Sequence, residues 1–562
     1  MSDKGSCGRA RASVLGPLVV PLVALVGLVL LAGCSLPGHA DAAGSEVSEA
    51  EAVRIANGDP KAVEQREKNP GIAPVASMVD GNWEVAYFAA GEQVALVVVD
   101  PVDGGVRESW TGYQVAWKMA RGYSGSFGHK LNAPYVFLPL CALFLLGLVD
   151  WRRPWRVANL DLLVLLGFGV SHFFFNRAEI GVSVPLQYPV LLYLLGRGLW
   201  IGFRGRGEGL RPVWPAAWLF VAALFLLGFR VGLNVADSGA IDVGYASVVG
   251  ADLVTHAEPV YDNFPDDVSQ GDTYGPVTYL AYVLPELVWP WSGSWDDLPA
   301  AHAAAVLFDV ATFALLILLA LRVRPGPAGH RLAATLAFAW AAYPYTAFTL
   351  ESNSNDTLVA ALLVAALLLS ARPAARGAFA ALATLSKFAP ALLVPMLSTY
   401  TAREVTDEGV RERKPRPQDP LIGRPATLFV LSFALVAAAV TLWPALDPGL
   451  QTVYESTVGY QAGRDSPFSI WGQAPSLEPL RIAILVGTAG LSLLLAFVPR
   501  RKSLVQVAAL GAALLIALQL TMQHWFYLYI VWFYPLLLVA MATTAEGPAP
   551  SPARRSSPAP SR

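Results

Sequence analysis

The chain has 562 residues, 55% of them hydrophobic and 15% charged, with 40 basic residues against 42 acidic ones for a net charge of −2. Soluble domains carry about a quarter charged residues, and the near-neutral balance argues against a strongly charged partner, so nucleic acid binding is excluded. Repeated windows of about 20 apolar residues, each able to cross a hydrocarbon core, predict a polytopic all-α membrane protein.

The chain opens with basic Lys4, Arg9 and Arg11, an apolar run from Val14 to Leu30, and "LLAGC" ending at Cys34. That order follows export-signal logic and predicts a leader over 1–33. "LAGC" resembles a bacterial lipobox, which implies lipidation of Cys34; the alternative is an uncleaved anchor. Either reading puts the following residues outside the cytoplasm, in a bacterial plasma membrane. With three cysteines in all, Cys7 in the leader and Cys141 in an apolar run, no disulfide framework is expected.

Residues 34–130 differ in kind. "SEAEAVRIAN" and "PKAVEQREKN" read as short amphipathic helices opened by Ser48 as cap and Pro60 at the first turn. "NWEVAYFAAGEQVALVVVDPVDGGVRESW" reads as strands broken at Gly91 and at residues 103–105. A small extracytoplasmic α+β domain is expected, and the order of elements resembles PepSY-type domains.

Membrane sequence begins near Asn132. About eleven spans are expected from apolar length: 133–149, 158–175 and 184–202 in an additional block (131–212), then 213–231, 299–321, 332–350, 356–371, 426–444, 480–498, 504–521 and 525–543. Basic "DWRRPWR", "RGRGEGLR", "RVRPGPAGHR" and "PRRKS" mark the cytoplasmic side. Segments 276–291 and 378–399 would begin and end on one side, and both carry prolines. They read as re-entrant or interfacial, which is tolerated only where irregular backbone is buried in protein or lines a cavity. The tail, 546–562, is rich in Pro, Ser and Ala and reads as disordered and cytoplasmic.

Acids cluster where the fourth span emerges: Asp237, Asp242, Asp252 and Asp262. After Asp242, residues Val243, Ala246, Val249 and Leu253 recur at helical spacing, a stripe suited to lying along the interface. An acid in the first turn also favours the helix dipole without any chemistry. Arg464 and Asp465 fall in an outer connection, either as a phosphate clamp or as a solvated pair of little consequence. His524 opens the last span, as a phosphate ligand or proton carrier or as part of an aromatic belt. Lys387 lies in an apolar segment, where ionisable groups are costly. Near the tip of a hairpin it would reach a phosphate, whereas at the interface it would snorkel. In "ESNSND" (351–356), Asn355 or Asp356 is expected to cap the next helix. No Cys/His pair has zinc spacing.

"DVGYASVVGADLVTHAEPVYD" with "DTYGPVTYLAYVLPE" resembles the first extracytoplasmic loop of GT-C fold glycosyltransferases, specifically the polyprenyl-phosphate-mannose-dependent mannosyltransferases. "LATLSKFAPALLVPML", "GYQAGRDSPFSIWGQ" and "QHWFYLYIVWFYP" continue the likeness over roughly 213–545. The family pattern has a glycine before its Pro-Tyr that this chain lacks at Glu258-Pro259. The resemblance implies an inverting transfer of a sugar, mannose by family weight, from a polyprenyl-phosphate carrier to a lipid or polysaccharide acceptor. Asp242 is then the base, with Asp237 in reserve. Arg464, His524 and Lys387 are implied to bind the donor phosphate, and Tyr245, Tyr261, Tyr274 and Asp465 the substrate. No cofactor is required, although a divalent ion held by Asp242 and Asp237 is conceivable. A transporter or flippase of lipid-linked substrates, or a non-catalytic envelope scaffold, is the competing expectation.

Overall fold

The computed structural model describes residues 47–79, 81–122, 129–205, 208–401, 423–464 and 466–543. The leader, Cys34, Asp465 and the tail lie outside the described residues.

The N-terminal elements form where local chemistry directs them. The Ser48 side chain accepts from Glu51 N–H at 3.3 Å and starts helix Glu49–Asn57. Asp59 accepts from Lys61 and Ala62 N–H at 2.9 and 3.2 Å, with Pro60 at the first turn of Pro60–Lys68. Four strands follow as an antiparallel meander in the order β1 (Pro74–Val79), β2 (Asn82–Ala89), β3 (Glu92–Val99) and β4 (Val106–Thr111). The three turns place Gly81, Gly91 and Gly104 at positive φ. Alternate residues Val85 and Tyr87 on β2, and Ala95, Val97 and Val99 on β3, face a small core completed by Ala52, Ala56 and Ala62 of the helices.

The remainder is helical, and its described residues include five helices long and apolar enough to cross a membrane: Val157–Phe175, Ala216–Asp237, Pro299–Val323, Arg424–Gly463 and Pro475–Phe497. Only 11% of the apolar window in Arg424–Gly463 is buried by protein. Leu428, Leu431, Leu435 and Leu442 stand exposed along it. So wide an apolar face requires lipid, not water. The chain is a helical membrane protein.

Three differences from the expected elements bear on the site. The expected span 332–350 breaks into Gly326–Ala342 and Pro344–Glu351, because Pro344 pushes Tyr343 into extended backbone. The helix over 426–444 does not stop there but continues, kinked at Asp447, to Gly463, so Arg464 ends a helical rod and not an open loop. Helix Asp242–Thr255 is buried on nearly every side, so its apolar stripe packs on protein rather than lying along lipid. A Cβ at Gly250 would stand 2.1 Å from the Tyr279 ring, which shows how closely the neighbouring helix Pro276–Val288 approaches. At 13 residues that neighbour is about 20 Å long, shorter than a hydrocarbon core is thick.

Candidate functional site

Several helix ends and turns bring charged and aromatic side chains into the neighbourhood of Asp242. Asp242 is the first residue of Asp242–Thr255, and its carboxylate accepts Val243 N–H at 2.9 Å. Among the described residues no ion pair or other hydrogen bond holds it. Asp242 is exposed to solvent, yet protein crowds it so closely that desolvation is the largest influence on its carboxyl group. Burial raises its pKa; the Val243 N–H and the charges of Arg464 and Lys387 oppose the rise, and Asp356 adds to it.

The start of this helix is braced by the stretch 351–356, every residue of which is buried. Ser352 carbonyl accepts Ile241 N–H at 3.3 Å. Asn353, at φ +47°, accepts from Asn234 at 2.8 Å and donates to Ser238 at 2.9 Å. Asn355 donates to Ser247 at 2.9 Å and makes no side-chain cap. The expected capping role is therefore replaced by tertiary contacts that fix the approach to Asp242.

Asp356 likewise is no cap. It accepts from Lys387 Nζ at 2.7 Å and from Trp532 Nε1 at 2.8 Å, with the lysine 7% and the aspartate 0% exposed. Lys387 ends helix Pro373–Lys387, and the next residue, Phe388, is forced to φ +51°. A bulky residue there costs about 1–3 kcal/mol and persists only where surrounding packing dictates it. The ammonium lies 5.1 Å from the Tyr274 ring, 5.8 Å from Tyr529 and 5.7 Å from Trp532. Lys387 thus sits at a break in the segment, paired and boxed by aromatics, and does not snorkel.

Tyr274 is held over the lysine by its own backbone. Its N–H donates to Tyr279 Oη at 3.3 Å and its carbonyl accepts from Tyr261 Oη at 3.0 Å. Ser386 carbonyl, at the end of the lysine's helix, accepts Gly275 N–H and Thr278 Oγ1–H, each at 3.0 Å. A Cβ on Gly275 would lie 2.0 Å from Leu385 carbonyl oxygen. Gly275→Ala is therefore expected to force these segments apart and cost about 1–3 kcal/mol, the usual penalty of overpacking. A thermal melt in detergent should show it, and an unchanged melting temperature would contradict the packing described.

The last wall comes from Arg464 and the segment after it. The Arg464 guanidinium lies 5.8 Å from the Tyr460 ring and 5.6 Å from Trp117. Its buried Nε has no hydrogen-bond partner among the described residues. His524 Nδ1 is 2.9 Å from Ser466 Oγ. Burial first, then the charges of Arg464 and Lys387, hold its pKa well below the ordinary histidine value, so the ring is neutral. It can offer a hydrogen bond to an anion but no charge.

The structure brings Asp242, Lys387, Arg464, His524 and Tyr274 into one electrostatic neighbourhood, together with Tyr529. It does not bring Asp237, which pairs with Lys130 Nζ at 3.0 Å and accepts Lys130 N–H at 3.2 Å. Tyr245 points away: its hydroxyl donates to Asp267 at 2.9 Å and its ring stacks on Trp295 at 4.8 Å. Tyr261 acts on Tyr274 from behind and stacks toward Trp443. Sequence reasoning passed over Tyr529, Trp532 and Trp117, and gave Asp356 only a capping role. An acid beginning an apolar helix was the available signal for Asp356. Among the described residues no group of three or more His, Cys, Asp or Glu could hold a metal ion. In comparisons with known protein families and with curated proteins, the chain matches none.

Proposed function

We propose that the chain is an inverting GT-C type glycosyltransferase that moves a sugar, mannose by resemblance, from a polyprenyl-phosphate donor to a lipid or polysaccharide acceptor. One observation carries the reading: a solvent-reached carboxylate, Asp242, shares a crowded recess with the cations Arg464 and Lys387 where membrane helices end. A lipid-borne sugar phosphate meets that recess from the bilayer, so no nucleotide-binding domain is needed. The helices number about eleven spans by apolar length. Read by the positive-inside rule, the basic connections are cytoplasmic and support a site that faces away from the cytoplasm. The N-terminal strands and helices are then an exported α+β domain of PepSY type.

Asp242 takes the acceptor hydroxyl proton as the acceptor oxygen bonds to the anomeric carbon. The bond from that carbon to the phosphate oxygen breaks, and its electron pair leaves with the polyprenyl phosphate, whose charge Arg464 stabilises. A single displacement inverts the anomeric centre. Lys387, already neutralised by Asp356, contributes fixed geometry and the aromatic box more than free charge. A raised carboxyl pKa suits a base working near neutrality.

The sign of the pH dependence follows. Transfer requires ionised Asp242, so activity falls on the acid side at a pH above the ordinary carboxylate range. Arg464 lowers that pKa, so Arg464→Gln should move the acid limb of kcat to higher pH. A limb that stays put or moves down would separate Arg464 from Asp242. The reading as a whole is tested by incubating purified protein in nanodiscs with polyprenyl-phosphate mannose and a membrane lipid extract. Donor consumption with a glycosylated lipid product supports it, while translocation of intact donor without consumption supports a flippase.

A transport reading has one specific observation in its favour. Glu351 is fully buried, and neither carboxylate oxygen has a hydrogen-bond partner among the described residues. Unpaired acids at membrane depth mark ion paths.

A further inference from the structure

Trp117 is the residue at which the N-terminal unit joins the helical body. It follows the turn Tyr113–Ala116 after β4 and precedes Lys118–Arg121. This junction is built into the body. Gln114 donates to Ala178 carbonyl at 3.1 Å, Arg121 donates back to Gln114 carbonyl at 2.8 Å, and Ala120 is buried in the main core. Between these anchors the Trp117 indole meets two groups of the candidate site and the nearby Phe468. Its ring is 5.6 Å from the Arg464 guanidinium, 5.7 Å from the His524 ring and 5.6 Å, edge to face, from Phe468. Trp117 and Tyr460 supply the ring faces beside the Arg464 guanidinium.

We propose that Trp117 is a positioning residue for Arg464, so that the N-terminal unit furnishes part of the anion-binding wall of the site instead of serving as a spacer. The inference rests on the proposed function for the identity of the anion, a lipid phosphate. An electron-rich indole face attracts a guanidinium and restricts its swing, which leaves the guanidinium edge free for two parallel hydrogen bonds to a phosphate. Because Trp117 is anchored on both sides by backbone contacts, a force or ligand acting on the N-terminal sheet would be felt at Arg464. The mechanism thus gives the N-terminal unit a route to control donor affinity.

The test is a double-mutant cycle on the full chain in nanodiscs, with decaprenyl phosphate as probe and binding read by calorimetry. Trp117→Leu keeps an apolar side chain and removes the ring face; it should weaken binding about tenfold, the scale of a partly desolvated cation–π contact. Trp117→Phe should recover most of that loss. In an Arg464→Ala background neither substitution should matter further. Equal affinity of wild type and Trp117→Leu, or the same loss in both backgrounds, overturns the inference while leaving the lipid phosphate reading intact. If wild type itself fails to bind decaprenyl phosphate, the proposed function and this inference fall together. Should Trp117→Leu not fold, Trp117→Phe across the two Arg464 backgrounds decides in the same way, with an expected loss of about threefold.

Discussion

Asp242→Asn is expected to lower transfer by about 10²–10⁴-fold, the contribution of a positioned general base, while membrane insertion and thermal stability stay at wild-type levels. The substitution is nearly isosteric. It keeps an acceptor oxygen for the Val243 N–H at 2.9 Å and breaks no ion pair among the described residues. The carboxylate's function is therefore separable from its structural role. Donor consumption by purified protein measures the effect. Turnover within threefold of wild type would show that another group takes the proton.

The second large effect is on stability and falls on the Lys387–Asp356 pair. The two side chains are 7% and 0% exposed and meet at 2.7 Å, with Trp532 also donating to Asp356. Removing one partner from a buried pair leaves an uncompensated charge and costs about 3–5 kcal/mol, whereas replacing both with apolar groups is often neutral. Asp356→Leu should accordingly melt well below wild type, and Asp356→Leu with Lys387→Met should recover most of the loss. The double variant then isolates catalysis from stability: in the proposed mechanism the lysine's main contribution is geometry, so transfer should fall less than in Asp242→Asn. Equal stability of the single and double variants would mean that water reaches the pair and screens it.

The sequence made some of this arrangement legible, for identifiable reasons. Lys387 stood out because an ionisable side chain in an apolar run is costly and calls for a partner, and Arg464 because it lay in an outer connection within the resemblance, where it could clamp a phosphate. Asp242 stood out because it opened a helix at a span's end. Ser48 and Pro60 carried their own local instructions and start helices where expected. What the sequence did not disclose were the partners. Asp356 begins an apolar helix, where an acid most often caps, and nothing local reveals that a lysine from the next helix turns back to meet it. Tyr245 and Tyr261 came from a resemblance, which supplies residue type and order but not the direction of a ring. One faces Asp267 and Trp295, and the other props Tyr274. Trp117 was invisible as a site residue because its neighbours, Arg464 and His524, come from the far end of the chain. The break at Pro344 was the reverse case, a local signal outweighed in reading by a long apolar run.

The central claim is that a lipid-linked sugar phosphate lies in the Asp242 recess with its anomeric carbon toward the carboxylate. Cryo-electron microscopy of the protein in nanodiscs with a non-transferable polyprenyl-phosphate sugar analogue tests it directly. The account predicts the phosphate within hydrogen-bonding distance of Arg464 and the sugar between Asp242 and the Tyr274–Tyr529 wall. Density for the head group elsewhere, or a recess filled only by water beside an occupied tail groove, would contradict it.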